Sequence, residues 1–267
     1  MPSNSINSGY YGKIPAVGDF ISYNLIRDFV KPWDDWLQTV ITETKDALGD
    51  EWLNTYLTSP IYRFVLTPGN CGEEGYFGVM IPSVDRVGRY FPFMICTPLP
   101  QQANPFEQLA QLEEWFDFAE QIALRTLEAD FDTDELTAAM QQLDIIYQST
   151  FTTAADEFQT KSNSSGYIAI RQSMHETQNN ASIYSSLLNS LLQEVSYAYS
   201  IWWTKGSQVV QPSMLVTQGL PPAKQVSAFY DGLWAKHGWF DNDPGSLLVN
   251  LSGEETVEMD PWDRIEG

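Results

Sequence analysis

Tyr76-Phe77-Gly78-Val79-Met80-Ile81, then Pro82-Ser83-Val84-Asp85-Arg86-Val87-Gly88-Arg89, then Tyr90-Phe91-Pro92-Phe93-Met94-Ile95-Cys96-Thr97: two apolar runs flank a polar connection. Each run is short and rich in aromatic and β-branched residues, so Tyr76 to Ile81 and Tyr90 to Thr97 read as strands, and the pair as a hairpin. A hairpin sets its strands antiparallel, which excludes a purely parallel sheet. Phe91, Phe93, Met94 and Ile95 leave neither side of the second strand polar, so the sheet is expected to be covered on both faces. Helices have to supply that cover.

They are found on either side. Pro32 suits a first helical turn, and Trp33, Trp36, Leu37, Val40, Ile41, Thr44 and Leu48 recur at three-and-four spacing until Gly49, which predicts an amphipathic helix. Leu53, Tyr56 and Leu57 suggest a second, short one, and Ile61 to Leu66 a strand ended by Thr67-Pro68-Gly69-Asn70. Asn104 as cap and Pro105 at the first position open a long helix that keeps one face apolar through Thr126. Further helices are expected from Thr133 through Leu143, from Ser182 to Glu194 and from Ala223 to Trp234, with strands at Tyr199 to Thr204 and Met214 to Thr217. Strands and helices interspersed in this order predict an α/β fold, with a mixed, partly antiparallel sheet sandwiched between helices.

No repeat and no linker divides the chain, so one domain over residues 1–251 is expected, at the upper size for one continuous core. Within it, residues 147–180 are rich in Ser, Thr, Gln and Asn and mark a loop or inserted region. Residues 252–267 are acidic and poor in core formers, the composition of a mobile tail.

Charge is the most skewed bulk property. The 35 Asp and Glu against 14 Lys and Arg give a formal net charge of -21, a field that repels nucleic acid and anionic headgroups and suits a basic protein partner or merely a solvated surface. No run reaches the ~20 apolar residues that span a bilayer, and residues 1–8 lack a signal-peptide core, so a cytoplasmic protein is expected. Cys71 and Cys96 are the only two cysteines and are expected to be reduced packing residues.

Chemistry-bearing motifs are sparse. His175-Glu176 begins like a zinc-binding helix, but Asn179 stands where the second His belongs. His237 is the only other imidazole, too few for a usual zinc site or a triad. There is no phosphate-binding glycine loop or nucleophile elbow, and no catalytic, cofactor or metal residue is assigned. Asp231-Gly232 is an isolated pair.

The informative charges lie in the connection just quoted. Setting Asp85, Arg86 and Arg89 between apolar strands is costly unless they pair or stay wet, and Gly88 permits a backbone closed to other residues. Two readings stand: Asp85 accepts an Arg fork and locks the loop, or Arg86 and Arg89 are basic anchors for a partner's carboxylate or phosphate. In the amino-terminal block, Gly12, Pro15 and Gly18 punctuate a tight path. There Lys13 and Asp19 either act locally or face the same partner surface as the 83–90 loop.

Several blocks then agree in order: Gly9-Tyr10-Tyr11-Gly12-Lys13-Ile14-Pro15-Ala16-Val17-Gly18-Asp19-Phe20, Trp33-Asp34-Asp35-Trp36-Leu37, Ser59-Pro60-Ile61-Tyr62-Arg63-Phe64, Ser83 to Pro92, Ile201-Trp202-Trp203-Thr204-Lys205-Gly206-Ser207 and Gly219-Leu220-Pro221-Pro222. On these blocks the chain resembles the TagF family of type VI secretion accessory proteins. The resemblance implies a three-layer αβα domain and a post-translational negative regulator without catalytic residues. The regulator would act by contact with secretion components, a forkhead-associated scaffold protein or membrane and baseplate proteins. Rival readings are a metal-dependent hydrolase using Asp19, Asp85 or Glu73, and an assembly adaptor or chaperone that represses nothing.

Overall fold

The computed structural model describes residues 7–100, 104–151 and 180–240. Most of the 147–180 region, the His175-Glu176 pair and the 252–267 tail lie outside the described residues. Among the described residues, seven strands form one sheet: β1 (Gly9–Gly12), β2 (Ile21–Tyr23), β3 (Tyr62–Leu66), β4 (Tyr76–Ile81), β5 (Phe93–Pro98), β6 (Tyr199–Thr204) and β7 (Ser213–Gln218). Their spatial order is β2-β1-β5-β4-β3-β6-β7. The sheet expected to be mixed is antiparallel at every pairing. Four of the six pairs are sequence neighbours joined by short reversals, and a short reversal cannot set two strands parallel.

Among the described residues, seven α-helices complete the layers: α1 (Arg27–Leu48), α2 (Trp52–Leu57), α3 (Pro105–Gln111), α4 (Glu113–Arg125), α5 (Asp134–Phe151), α6 (Asn180–Val195) and α7 (Ser227–Asp231). Strand alternation sends Val65, Phe77, Val79, Phe93, Ile95 and Ile201 to one face, where they pack with Trp115 and Phe116 of α4 and Leu136, Met140 and Leu143 of α5. Phe64, Met80, Met94 and Trp202 point the other way, onto Phe29, Trp33 and Leu37 of α1, Tyr56 of α2 and Phe229 of α7. The three-layer αβα arrangement is thus set by two apolar faces that both need cover. Among the described residues, no helix is long and apolar enough to cross a membrane.

Element boundaries depart from expectation for physical reasons. The second strand of the quoted hairpin begins at Phe93 instead of Tyr90, because Pro92 has no N–H to give the ladder and the residues before it pair within the loop. Helix α1 starts at Arg27, so Pro32 lies inside it. The first turn is held by the Phe29 and Val30 amides donating to the Ile26 carbonyl, and it seats Phe29 on Tyr76 with ring centroids 3.9 Å apart. Burial of Phe29 offsets the one helical bond that Pro32 withholds. The long helix expected from Asn104 is two, α3 and α4, separated at Leu112. Phe106 of α3 stacks on Tyr199, whereas Trp115 and Phe116 of α4 pack against Phe77, and one straight rod cannot serve both directions. Helix α5 runs on to Phe151 because Ile146 and Tyr147 are buried. The last helix stops at Asp231, where Gly232 turns left-handed at φ 72°.

The amino-terminal block is a hairpin as well as a turn. Strands β1 and β2 flank a reversal at Pro15-Ala16, closed by the Val17 amide donating to the Ile14 carbonyl at 3.2 Å. Tyr10 stacks on Tyr23 across the pair. Strand β1 in turn pairs with β5, so the tip of this hairpin meets the loop between β4 and β5.

Candidate functional site

The loop at residues 82–92 is a small structure in its own right. Val84 and Tyr90 form a bridge, the Phe91 amide donates to the Ser83 carbonyl at 3.1 Å, and the Asp85 amide donates to the Arg89 carbonyl at 3.0 Å. The tip closes with the Gly88 amide on the Asp85 carbonyl at 2.9 Å, and Gly88 sits at φ 88°, a conformation that favours glycine. Beneath the loop the Tyr56 hydroxyl contacts both the amide and the carbonyl of Ser83 at 2.9 Å. Tyr90 stands edge-on to Trp52 and Tyr56.

Asp85 is the centre of this construction. Its Oδ1 accepts from the Val87 amide at 3.0 Å and the Arg89 amide at 2.9 Å; its Oδ2 accepts from Arg89 Nε at 2.6 Å and Lys13 Nζ at 3.0 Å. No part of the side chain reaches solvent. Burial by itself raises the Asp85 carboxyl pKa. The Arg89 amide, the two cationic side chains and the Val87 amide outweigh it and hold the group well below the usual carboxylate range. The locking reading of Asp85 therefore describes the geometry, except that Arg89 contributes one side-chain N–H and its backbone in place of a two-pronged fork.

The amino-terminal hairpin supplies the other half. Arg86 donates its amide to the Val17 carbonyl at 3.1 Å, and Arg89 Nη2 donates to the Gly18 carbonyl at 2.6 Å. The Arg86 guanidinium lies along Gly18, so close that a methyl group there would meet Nη2 at 3.4 Å. The Lys13 ammonium is 4.8 Å from the Phe20 ring centroid, and Phe20 stacks on Tyr11 and meets Phe91 edge-on. Asp19 faces solvent and accepts the Phe20 amide at 2.8 Å.

Thus Lys13, Asp19, Asp85, Arg86 and Arg89 are brought to one place, but in two tiers. Lys13 and Asp85 are buried and fasten hairpin to loop. Arg86, Arg89 and Asp19 are exposed above them, with Arg89 at 55% of its side-chain surface. Two apolar residues also belong to the surface: Phe20, which was expected to enter the core and is 40% exposed, and Val87, 66% exposed. Their signal was an apolar side chain inside a Gly- or charge-rich turn.

Glu73 is not part of this arrangement. It lies in the β3–β4 connection, at the opposite end of β4 from Asp85, and is exposed. Among the described residues, no three His, Cys, Asp or Glu gather as metal ligands do. His237 Nε2 pairs with Asp231 Oδ2 at 2.7 Å while Asp231 Oδ1 accepts the Leu233 amide at 2.9 Å, a tie across the end of α7.

A second charge cluster went unread in the sequence. Arg63 of β3, with 1% of its side chain exposed, donates to Glu113 at 2.8 Å, to Asp117 at 2.6 Å and to Glu120. Lys205 adds a cation 2.7 Å from Asp117. Glu113, Asp117 and Glu120 follow one another at helical spacing on α4, and that acidic stripe opposite a lone strand Arg was the available signal.

A family described as TagF N-terminal domain, type VI secretion system-associated, matches residues 9–143. The crystal structure of PA0076 from Pseudomonas aeruginosa PAO1 is similar at 34% identity, over 84% of this chain and 94% of that one, with a TM-score of 0.66. No curated protein matches.

Proposed function

Since the chain belongs to the TagF family of type VI secretion system-associated proteins, we propose that it is a non-enzymatic cytoplasmic accessory protein that binds secretion components and so restrains the machine after translation. The observation that carries this reading is the loop at residues 82–92. It is an exposed, cationic, internally braced projection on a chain of formal net charge -21. Such a feature is preorganised, so little ordering entropy is lost when a partner docks. A forkhead-associated scaffold protein is the first partner to try, with membrane and baseplate proteins next, as the family resemblance implies.

Deletion of the gene tests the sign of regulation. Secretion of a reporter effector rises when a repressor is lost; a fall would instead mark an assembly adaptor. Purified protein incubated with generic phosphoester and ester substrates plus divalent metals is expected to give no turnover above a heat-denatured control. Turnover abolished by Asp19→Asn would overturn the non-enzymatic reading.

A further inference from the structure

We infer that Arg86 and Arg89, converging on Gly18, form an anchor for one carboxylate side chain of a partner polypeptide, and that Phe20 and Val87 flank it as apolar contacts. This rests on the binding reading just given and adds the chemistry of what is bound.

The charges lead to it. Around Gly18 stand three cations, Lys13, Arg86 and Arg89, and two carboxylates, Asp85 and Asp19. One positive charge is in excess at this point of a strongly acidic chain. Asp85 spends both oxygens on Lys13, Arg89 and two amides. Arg86 has no ion pair among the described residues and is exposed. Arg89 uses Nε on Asp85 and Nη2 on Gly18, and neither bond engages its Nη1 donors, while 55% of the side chain is exposed.

Geometry makes the pair more than two surface arginines. A free arginine loses rotamer freedom when it is fixed; here the Arg89 guanidinium is already held by two bonds and Arg86 lies against a glycine with no side chain to push it away. Both guanidinium groups therefore meet at Gly18 before any partner arrives. Planar guanidinium donors match a carboxylate, and an arginine beside exposed aromatic and aliphatic side chains is the composition of an interface anchor. A single carboxylate also suits the single surplus charge. A polyanion is disfavoured by the field of the whole chain.

Site-specific photo-crosslinking tests this in the full-length protein inside cells of its own host. A benzophenone amino acid is placed at Val87, and at Ile145 on the exposed side of α5 as a control. The expected result is a crosslink from position 87 to a secretion component, at a peptide containing Asp or Glu. Arg86→Glu is expected to reduce it at least about thirtyfold, one hot-spot's worth of affinity, with the thermal melting of the protein unchanged. Arg86→Lys is expected to restore it only in part, and reversal of the partner's acid to Arg to rescue Arg86→Glu. A crosslink at 87 that survives Arg86→Glu at full yield overturns the anchor while leaving the binding reading intact. A crosslink from 145 alone overturns this surface, and no crosslink to any secretion component from either position overturns the binding reading along with it.

Discussion

Lys13 Nζ lies 3.0 Å from Asp85 Oδ2, although 72 positions separate the two residues in the chain. Both are buried, one from the amino-terminal turn and one from the loop between β4 and β5. Removing one member of a buried ion pair leaves the other charge without compensation. Asp85→Ala is accordingly expected to lower stability by roughly 3–5 kcal/mol. Urea unfolding followed by tryptophan fluorescence checks this; a loss under about 1 kcal/mol would mean that the pair is not coupled to folding.

Acid should act through the same carboxylate. Its folded pKa is depressed, so the folded state binds its proton less readily than the unfolded chain. The stability it contributes is present above the unfolded value near ~4 and is lost as pH falls from there through the folded value. Wild type is expected to lose more stability than Asp85→Asn between neutral pH and about pH 3, read from urea midpoints at each pH. Equal losses would place the acid sensitivity elsewhere.

Arg63 should tolerate a fat side chain better than a small one. Its guanidinium is buried, but its partners Glu113 and Asp117 remain about half exposed and keep Lys205 beside them. Arg63→Ala leaves a void and is expected to cost about 3 kcal/mol, while Arg63→Met, which refills much of the volume, should cost clearly less. Equal costs for the two would show that charge, not packing, dominates.

Thiol chemistry offers a simple probe of the core. Burial pushes Cys71 up to about 12 and Cys96 up as well, and both thiols are free. Neither is expected to react with a thiol reagent at pH 8 until the protein unfolds, when two equivalents should appear, because the nucleophile is the thiolate. Fast labelling of the native protein would contradict the packing described around β4 and β5.

Gly88 separates conformational strain from collision. A methyl group there would touch nothing within 4 Å, yet the residue sits at φ 88°. Gly88→Ala is expected to cost on the order of 1 kcal/mol and Gly88→Asn less, since Asn tolerates left-handed backbone. Differential scanning calorimetry of the two variants decides it.

Long, strongly patterned segments were the legible ones. Trp33 to Leu48 announced α1 by spacing, and Tyr76 to Ile81 followed by Tyr90 to Thr97 announced the central strands, the second begun three residues too early, because burial on one or two faces writes itself into periodicity. The short strands β1 and β2 did not show. Strand β1 has two glycines in four residues, and its strand character comes from Met94, Ile95 and Cys96 across the sheet, which no local pattern records. The break at Leu112 and the early start of α1 were hidden in the same way, being set by which partner each segment must reach. At the candidate site the residue types were readable as a costly set of charges, whereas their division into a buried brace and an exposed pair depended on Lys13 arriving from another part of the chain.

The brace also makes the loop's surface depend on the first turn of the chain. The tip of residues 82–92 rests on Lys13, Val17 and Gly18, which the first hairpin holds in place through its pairing with β5. A chain that misfolds at its very start, seventy residues upstream, would carry every arginine of the loop and still present no organised surface to a partner.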